Sequence, residues 1–220
     1  VGGTMDLPEA LATLDRSAAL AMALNNLATA YSHQAKYSDA EQLLIRALMI
    51  EERSPAKEHP YMTTYLNNLA AVYSNQGKHS EAEPLLLKAL TLDEKELGKD
   101  HPGLIPDLKN AIATYESQGK WQEAELFYTM LLEVYNKSPE PNEPDIAGAL
   151  KGLAAIYRSE KRWPEAEPLL MQALEIEEKR LGPDHMDIAI ILNNIAAAYS
   201  NQGRYSAAEP LLKRALAVKE

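Results

Sequence analysis

The chain contains no cysteine, which excludes disulfides and thiolate metal sites and suits a reducing, cytoplasmic setting. Positive charge is scarce. Lys and Arg total 22 against 32 Asp and Glu, a net charge of -10 that repels phosphate backbones and anionic lipid. Neither nucleic acid nor a membrane surface is therefore an expected partner. No apolar run approaches the roughly 20 residues needed to cross a bilayer, and no charged-then-apolar signal segment opens the sequence. A soluble protein is expected. The histidines offer no metal site, because His59, His101 and His185 recur at wide, equal phase while His33 and His79 lack a partner at ligand spacing. No nucleophile with a nearby base and no glycine-rich phosphate loop is present, so neither catalysis nor a cofactor is expected.

What the chain has in abundance is repetition. Ala23-Leu24-Asn25-Asn26-Leu27-Ala28 returns, varied, as Tyr65-Leu66-Asn67-Asn68-Leu69-Ala70, Asp107-Leu108-Lys109-Asn110-Ala111-Ile112, Ala149-Leu150-Lys151-Gly152-Leu153-Ala154 and Ile191-Leu192-Asn193-Asn194-Ile195-Ala196, each 42 residues after the last. A period in this range belongs to stacked-repeat proteins, whose units are too small to bury their own apolar faces and borrow a neighbour. The spacing predicts an all-α solenoid of five helix hairpins, with repeats at 17–58, 59–100, 101–142, 143–184 and 185–220. Residues 1–16 stand outside the phase. Val1-Gly2-Gly3 reads as a disordered leader, and Pro8 to Arg16 as a short helix shielding the first repeat.

Within the second repeat, Leu66, Leu69, Ala70 and Tyr73 fall on one helical stripe and define helix A. His59-Pro60 marks its start and Gln76-Gly77-Lys78 its end. Helix B is expected to open on a capping box, Ser80 to Glu83, repeated at Ser38 to Glu41 and Ser206 to Glu209, with Pro84 tolerated near its first turn. Ala40, Ala82, Ala124, Ala166 and Ala208 mark the close approach of A and B, and Tyr31, Tyr73, Tyr115, Tyr157 and Tyr199 supply the matching bulk. Trp121 and Trp163 share a site with Tyr37, His79 and Tyr205 and read as packing between repeats. Pro106 should kink or delay the third A helix, and the proline-rich 138–144 replaces a Leu-Gly-x-Asp-His connection, a place to bend or hinge.

Leu-Asn-Asn-Leu-Ala, Tyr-Ser-Asn-Gln-Gly-Lys, Glu-Ala-Glu-Pro-Leu-Leu, Lys-Ala-Leu and Leu-Gly-Lys-Asp-His-Pro, all within residues 66–102, resemble the 42-residue tetratricopeptide repeat (TPR) of kinesin light chains. The resemblance covers roughly residues 17–220. It implies a right-handed superhelix whose A helices line a concave groove for extended peptides, a cargo adaptor of a motor protein, and tryptophan-acidic ligands. The long heptad coiled coil of those light chains is absent from these residues, which leaves a fragment or a bacterial signalling scaffold without a motor as further readings.

Opposite the packed stripe of the first A helix lie Met22, Asn25, Asn26, Thr29, Ser32 and His33, which should face that groove. Its floor would be Thr29, Ala71, Ala113, Ala155 and Ala197, with Asn25, Asn67, Lys109, Lys151 and Asn193 beside it and Asn68 and Asn110 at the edge. A carboxamide both donates and accepts, so this row could pair with a peptide backbone; the other reading is that the asparagines bridge adjacent A helices. Lys109, Lys151 and Arg158 form a cationic cluster suited to an acidic segment, with Glu116 opposing it. The expected partner is a protein or peptide in this groove. The rival is self-assembly through terminal helices, since Leu211, Leu212, Ala215, Leu216 and Val218 have no following helix to cover them.

Overall fold

A computed structural model describes residues 7–54 and 61–218, with side chains from residue 16 onward. Among the described residues ten α-helices follow one another: α1 Leu7–His33, α2 Tyr37–Glu52, α3 Met62–Asn75, α4 His79–Leu97, α5 Ile105–Ser117, α6 Trp121–Lys137, α7 Glu143–Ser159, α8 Trp163–Leu181, α9 Met186–Asn201 and α10 Tyr205–Ala217. They are the A and B helices of five hairpins, as the period predicts. The chain divides into two compact units, residues 1–99 with 106–119 and residues 100–105 with 120–220. The first holds α1 to α5, the second α6 to α10.

The turn from A to B is written in the backbone. Residues 35, 77, 119, 161 and 203 all take positive φ, and Gly77, Gly119 and Gly203 meet that demand without steric cost while Ala35 and Lys161 do not. The next amide in the chain then reaches back to the tyrosine five residues earlier: Lys36 to Tyr31, Lys78 to Tyr73, Arg162 to Tyr157 and Arg204 to Tyr199, at 2.7–2.9 Å. This six-to-one closure satisfies an otherwise orphaned carbonyl at the helix end. The basic residue consequently becomes the N-cap of helix B.

That placement overturns the capping boxes. α2, α4 and α10 begin one residue before Ser38, Ser80 and Ser206, on Tyr37, His79 and Tyr205, and their caps Lys36, Lys78 and Arg204 make no side-chain capping bond. Each serine thus lies inside the helix, and Ser80 Oγ instead donates to Glu81 at 3.0 Å. Pro84, Pro168 and Pro210 fall within their helices on exposed positions, where water can take up the carbonyl that each proline leaves unbonded.

Packing follows the small-residue positions. Ala40, Ala82, Ala124, Ala166 and Ala208 are all buried, and the deepest of them have no exposed surface at all. In the first unit one core joins Ala21, Leu24 and Ala28 of α1, Leu44 and Leu48 of α2, and Met62, Tyr65, Leu69 and Val72 of α3. In the second, Leu170 of α8 packs with Ile191 and Ile195 of α9. Tyr115 is buried, whereas Tyr31, Tyr73, Tyr157 and Tyr199 are half-buried. Tyr37 packs on the first core, but Trp121 remains partly open and Tyr205 more so, so that shared site is not uniformly sealed.

Several expectations at the connections change. Pro8 to Arg16 do not form a separate helix; they are the opening turns of the 27-residue α1. Val1-Gly2-Gly3 and His59-Pro60 lie outside the described residues. Pro106 is the second residue of α5, which starts only after a 3-10 turn at Pro102–Leu104, so the proline marks a delayed start. His101 caps that 3-10 turn and His185 caps α9, each ring Nδ1 accepting the amide two residues on, at 3.0 and 3.2 Å. α4 and α8 end on Gly98 and Gly182 at positive φ, whereas α6 ends on extended Ser138 and Pro144 opens the first turn of α7.

Candidate functional site

In the first unit, the exposed sides of α1 and α3 border a cleft of about 180 Å³ lined by Ala28, Thr29, Ser32, His33, Leu44, Asn68, Ala71 and Val72. Small residues at 28 and 71 keep it open. Asn68 Nδ2 donates to Asn25 Oδ1 at 2.7 Å, so these two amides bridge neighbouring A helices beside the cleft. Both remain half-buried, which leaves the outer faces of their carboxamides within reach of a ligand.

Asn67 is different. It is buried rather than groove-facing, and its amide donates to the buried carboxyl of Asp107 on α5. The reading in which these asparagines bridge adjacent helices therefore holds for Asn25, Asn67 and Asn68. Burial pushes the Asp107 carboxyl up to about 6; the Asn67 bond opposes this and Asp93 reinforces it. Farther along, Ser74 and Thr114 hydroxyls meet at 3.0 Å, again joining α3 to α5. Lys109 is exposed on α5 and Asn110 half-buried.

In the second unit the positions matching Asn67 and Asn68 are a lysine and a glycine. Gly152 stands where the other repeats carry asparagine, and a Cβ there would overlap the hydroxyl of Tyr128 on α6. Lys151 Nζ donates to Glu177 of α8 at 2.8 Å, and Arg180 holds the other oxygen of that buried carboxylate. Burial alone would raise the Glu177 pKa, but the bonds from Lys151 and Arg180 outweigh it and hold the group below its usual range. Lys151 is thus committed within the fold. Arg158 is the exception: it is half-buried, no carboxylate pairs with it among the described residues, and its Nε has no hydrogen-bond partner. Ala155 and Asn193 are exposed along the same run of A helices.

A second recurrent feature escaped the sequence reading. The fifth residue after the helix-B cap, Glu41, Glu125 or Glu167, meets the basic cap of the following repeat: Lys78 at 2.8 Å, Arg162 at 2.6 Å and Arg204 at 2.6 Å. The same cation lies over its own tyrosine ring, Lys78 at 5.2 Å from the Tyr73 centroid and both arginines at 4.1 Å from theirs. Tyr157 adds a hydroxyl bond to Glu125 at 2.9 Å. These bonds hold Glu41 and Glu125 below the ordinary carboxylate range. The signal was present, since Lys36, Lys78, Lys120, Arg162 and Arg204 recur at the repeat period beside Glu41, Glu83, Glu125, Glu167 and Glu209. The capping-box reading instead places Glu41, Glu83 and Glu209 within their own helices and leaves Glu125 and Glu167 without a role.

Helix hairpins with this turn and this inter-repeat packing define a helical-repeat protein with no strand among the described residues. The chain belongs to the tetratricopeptide repeat family, whose sequence model matches residues 19–95, 61–137 and 145–220. Among solved structures it is similar to a Podosopora anserina protein described as a kinesin light chain with nearly identical TPR-like repeats, at 25% identity and a TM-score of 0.74, over 92% of this chain and 95% of that one. It shares its fold with BtubC (BKLC) from P. vanneervenii, at 21% identity and a TM-score of 0.73, over 92% of this chain and 81% of that one. It shares it also with MamA, at 15% identity and a TM-score of 0.65, over 90% of each chain. No curated protein matches the sequence. Among the described residues, no helix is long and apolar enough to cross a membrane and no group of three or more His, Asp or Glu is placed to hold a metal ion.

Proposed function

We propose that this chain is a non-catalytic interaction scaffold that receives an extended peptide along its A helices. The observation that carries this reading is the open cleft between α1 and α3, where Thr29, Ser32, His33 and Asn68 offer polar contacts around the small side chain of Ala71. An extended strand carries a backbone donor or acceptor at each residue, and the exposed sides of Asn25 and Asn68 offer both kinds of partner. The likeness to a kinesin light chain supports a peptide ligand, and by extension a cargo-adaptor role in the cytoplasm.

The ligand is acidic in part. Arg158 has no carboxylate partner among the described residues, and Lys151 can serve only if it leaves Glu177. The cationic trio of Lys109, Lys151 and Arg158 therefore reduces in the second unit to Arg158, with Lys151 in reserve.

Fluorescence anisotropy with a short labelled peptide, carrying tryptophan between acidic residues, tests the reading. Ala71→Trp fills the cleft and should weaken capture about tenfold, equivalent to about 1.4 kcal/mol. Arg158→Glu, in the second unit, should by itself weaken capture of an acidic peptide by that unit at low salt and by less at high salt. Glu177→Gln releases Lys151 and should strengthen capture. Saturable binding indifferent to all three substitutions, or none to the unaltered protein, would reject the proposal.

A further inference from the structure

One inward position of helix B carries an acid in both units, and its surroundings differ. In the second unit the acid is Glu177 on α8, 2% exposed, and Lys151 and Arg180 hold its two oxygens at 2.8 and 2.5 Å. Two cations answer one buried carboxylate. Counted back by two repeats, Glu177 becomes Asp93 on α4, Lys151 becomes Asn67 on α3, Arg180 becomes Glu96, and Ile191 of the next helix A becomes Asp107 on α5. Every change of charge among them is toward the negative.

The first-unit residues adjoin one another. Asn67 is 8% and Asp107 3% exposed, and the Asn67 carboxamide donates to Asp107 Oδ1. Burial is the main cause of the raised Asp107 pKa and the Asn67 bond opposes it, while the charge and the side-chain contact of half-buried Asp93 add to the rise, so the two carboxyl groups lie side by side. No cation among the described residues relieves them. Asp107 Oδ2 and Asn67 Oδ1 are buried and have no hydrogen-bond partner among the described residues. Neighbouring buried oxygens that both lack a donor call for a positive species between them.

The atoms on offer are all oxygens: a carboxylate of Asp93, Asp107 Oδ2 and Asn67 Oδ1. Such a set suits a hard cation. Calcium accepts irregular oxygen shells, whereas magnesium demands a small octahedron, and half-buried Asp93 leaves a side on which water completes the shell.

We propose that Asp93, Asp107 and Asn67 form a calcium site in the first unit, the ion doing there what the Lys151 ammonium does in the second. Two carboxylates and one amide oxygen hold it, and it ties α3, α4 and α5 together as Lys151 ties α7 to α8. The site is independent of peptide capture.

Isothermal titration calorimetry of the 220-residue chain with calcium chloride at about pH 7.5 tests the proposal. One saturable site per chain is expected, with magnesium chloride bound about tenfold more weakly. Asp93→Asn and Asp107→Asn, which keep the side-chain shape, should each weaken calcium binding by about tenfold or more. Asn67→Lys imports the cation of the second unit and should abolish it. Helical circular dichroism should be unchanged in all three; should Asp107→Asn or Asn67→Lys lose that signal, Asp93→Asn at its half-buried position decides alone. Glu175→Gln, at an exposed carboxylate of the second unit, should leave binding as it was. Calcium should also raise the thermal midpoint at about pH 7.5 and raise it less at about pH 5, where the proton on Asp107 competes with the ion. No saturable heat, a midpoint that answers to pH alone, binding that survives the substitutions at 93, 107 and 67, or binding lost equally in Glu175→Gln would overturn the proposal.

Discussion

The first unit has a cleft beside a pair of bridged amides; at the matching position the second unit carries the Tyr128 side chain, next to a lysine–glutamate pair. The clearest difference is a pair of matched positions. Where the first unit has Leu44 and Asn68 bordering a cleft, the second has Tyr128 and Gly152 at the equivalent places, with the tyrosine hydroxyl occupying the space that a side chain at 152 would need. The second difference lies one residue away, where Asn67 meets the Asp107 carboxyl and Lys151 meets Glu177. A repeat fixes the scaffold, and paired substitutions across a junction decide whether a given stretch is open, closed, neutral or charged.

The largest expected effect comes from the buried acid of the first unit. Asp107 keeps its proton up to about 6, above its ordinary value of 3.8, so the native state binds more protons than the unfolded chain between those limits. Stability from this group is therefore greatest below about pH 4 and is lost as pH rises through 6. Asp107→Asn should stabilise the first unit by about 1–3 kcal/mol at pH 7, with the gain vanishing near pH 4, as read from urea melts across that range. An equal gain at both pH values would show that charge is not the cause.

Next in size is the compensated pair of the second unit. Gly152→Asn restores the residue of the other repeats but collides with Tyr128, and should cost about 1–3 kcal/mol. Adding Tyr128→Leu should recover most of that loss and open a cleft in the second unit resembling that of the first. Additive losses in the double variant would break the parallel between the units.

The smallest effect concerns the clamp. Arg162 grips Glu125 through two nitrogens, at 2.6 and 3.1 Å, whereas Lys78 reaches Glu41 through one. Arg162→Lys should lose about 0.5 kcal/mol and Lys78→Arg should gain a similar amount, since the pairs are partly exposed. Thermal melts of the two variants side by side would resolve the difference.

The scaffold was legible in the sequence because each of its devices recurs. The glycine turn at 77, the alanine contact at 82 and the helical stripe from Leu66 to Tyr73 each return at a fixed interval. Asp107 was not legible, because Tyr65, Ala149 and Ile191 hold its position elsewhere and nothing local announces a partner on a neighbouring helix. The engagement of Lys151 was hidden for a related reason: Glu177 is 26 residues away and reads as one more surface carboxylate in an acidic helix. Glu41 was visible but ambiguous, because a serine three residues before a glutamate fits a local cap, whereas its actual partner, Lys78, lies one repeat later.

The left-handed turn carries one more implication. Its hand is a property of the main chain, so the two places where Ala35 and Lys161 bear it are spots where glycine relieves a strain of about 1 kcal/mol, less what its own freedom in the unfolded chain takes back. Neither residue lines the cleft. The fold therefore comes with two separate dials for heat tolerance, one in each unit, that can be turned without touching the cleft lining.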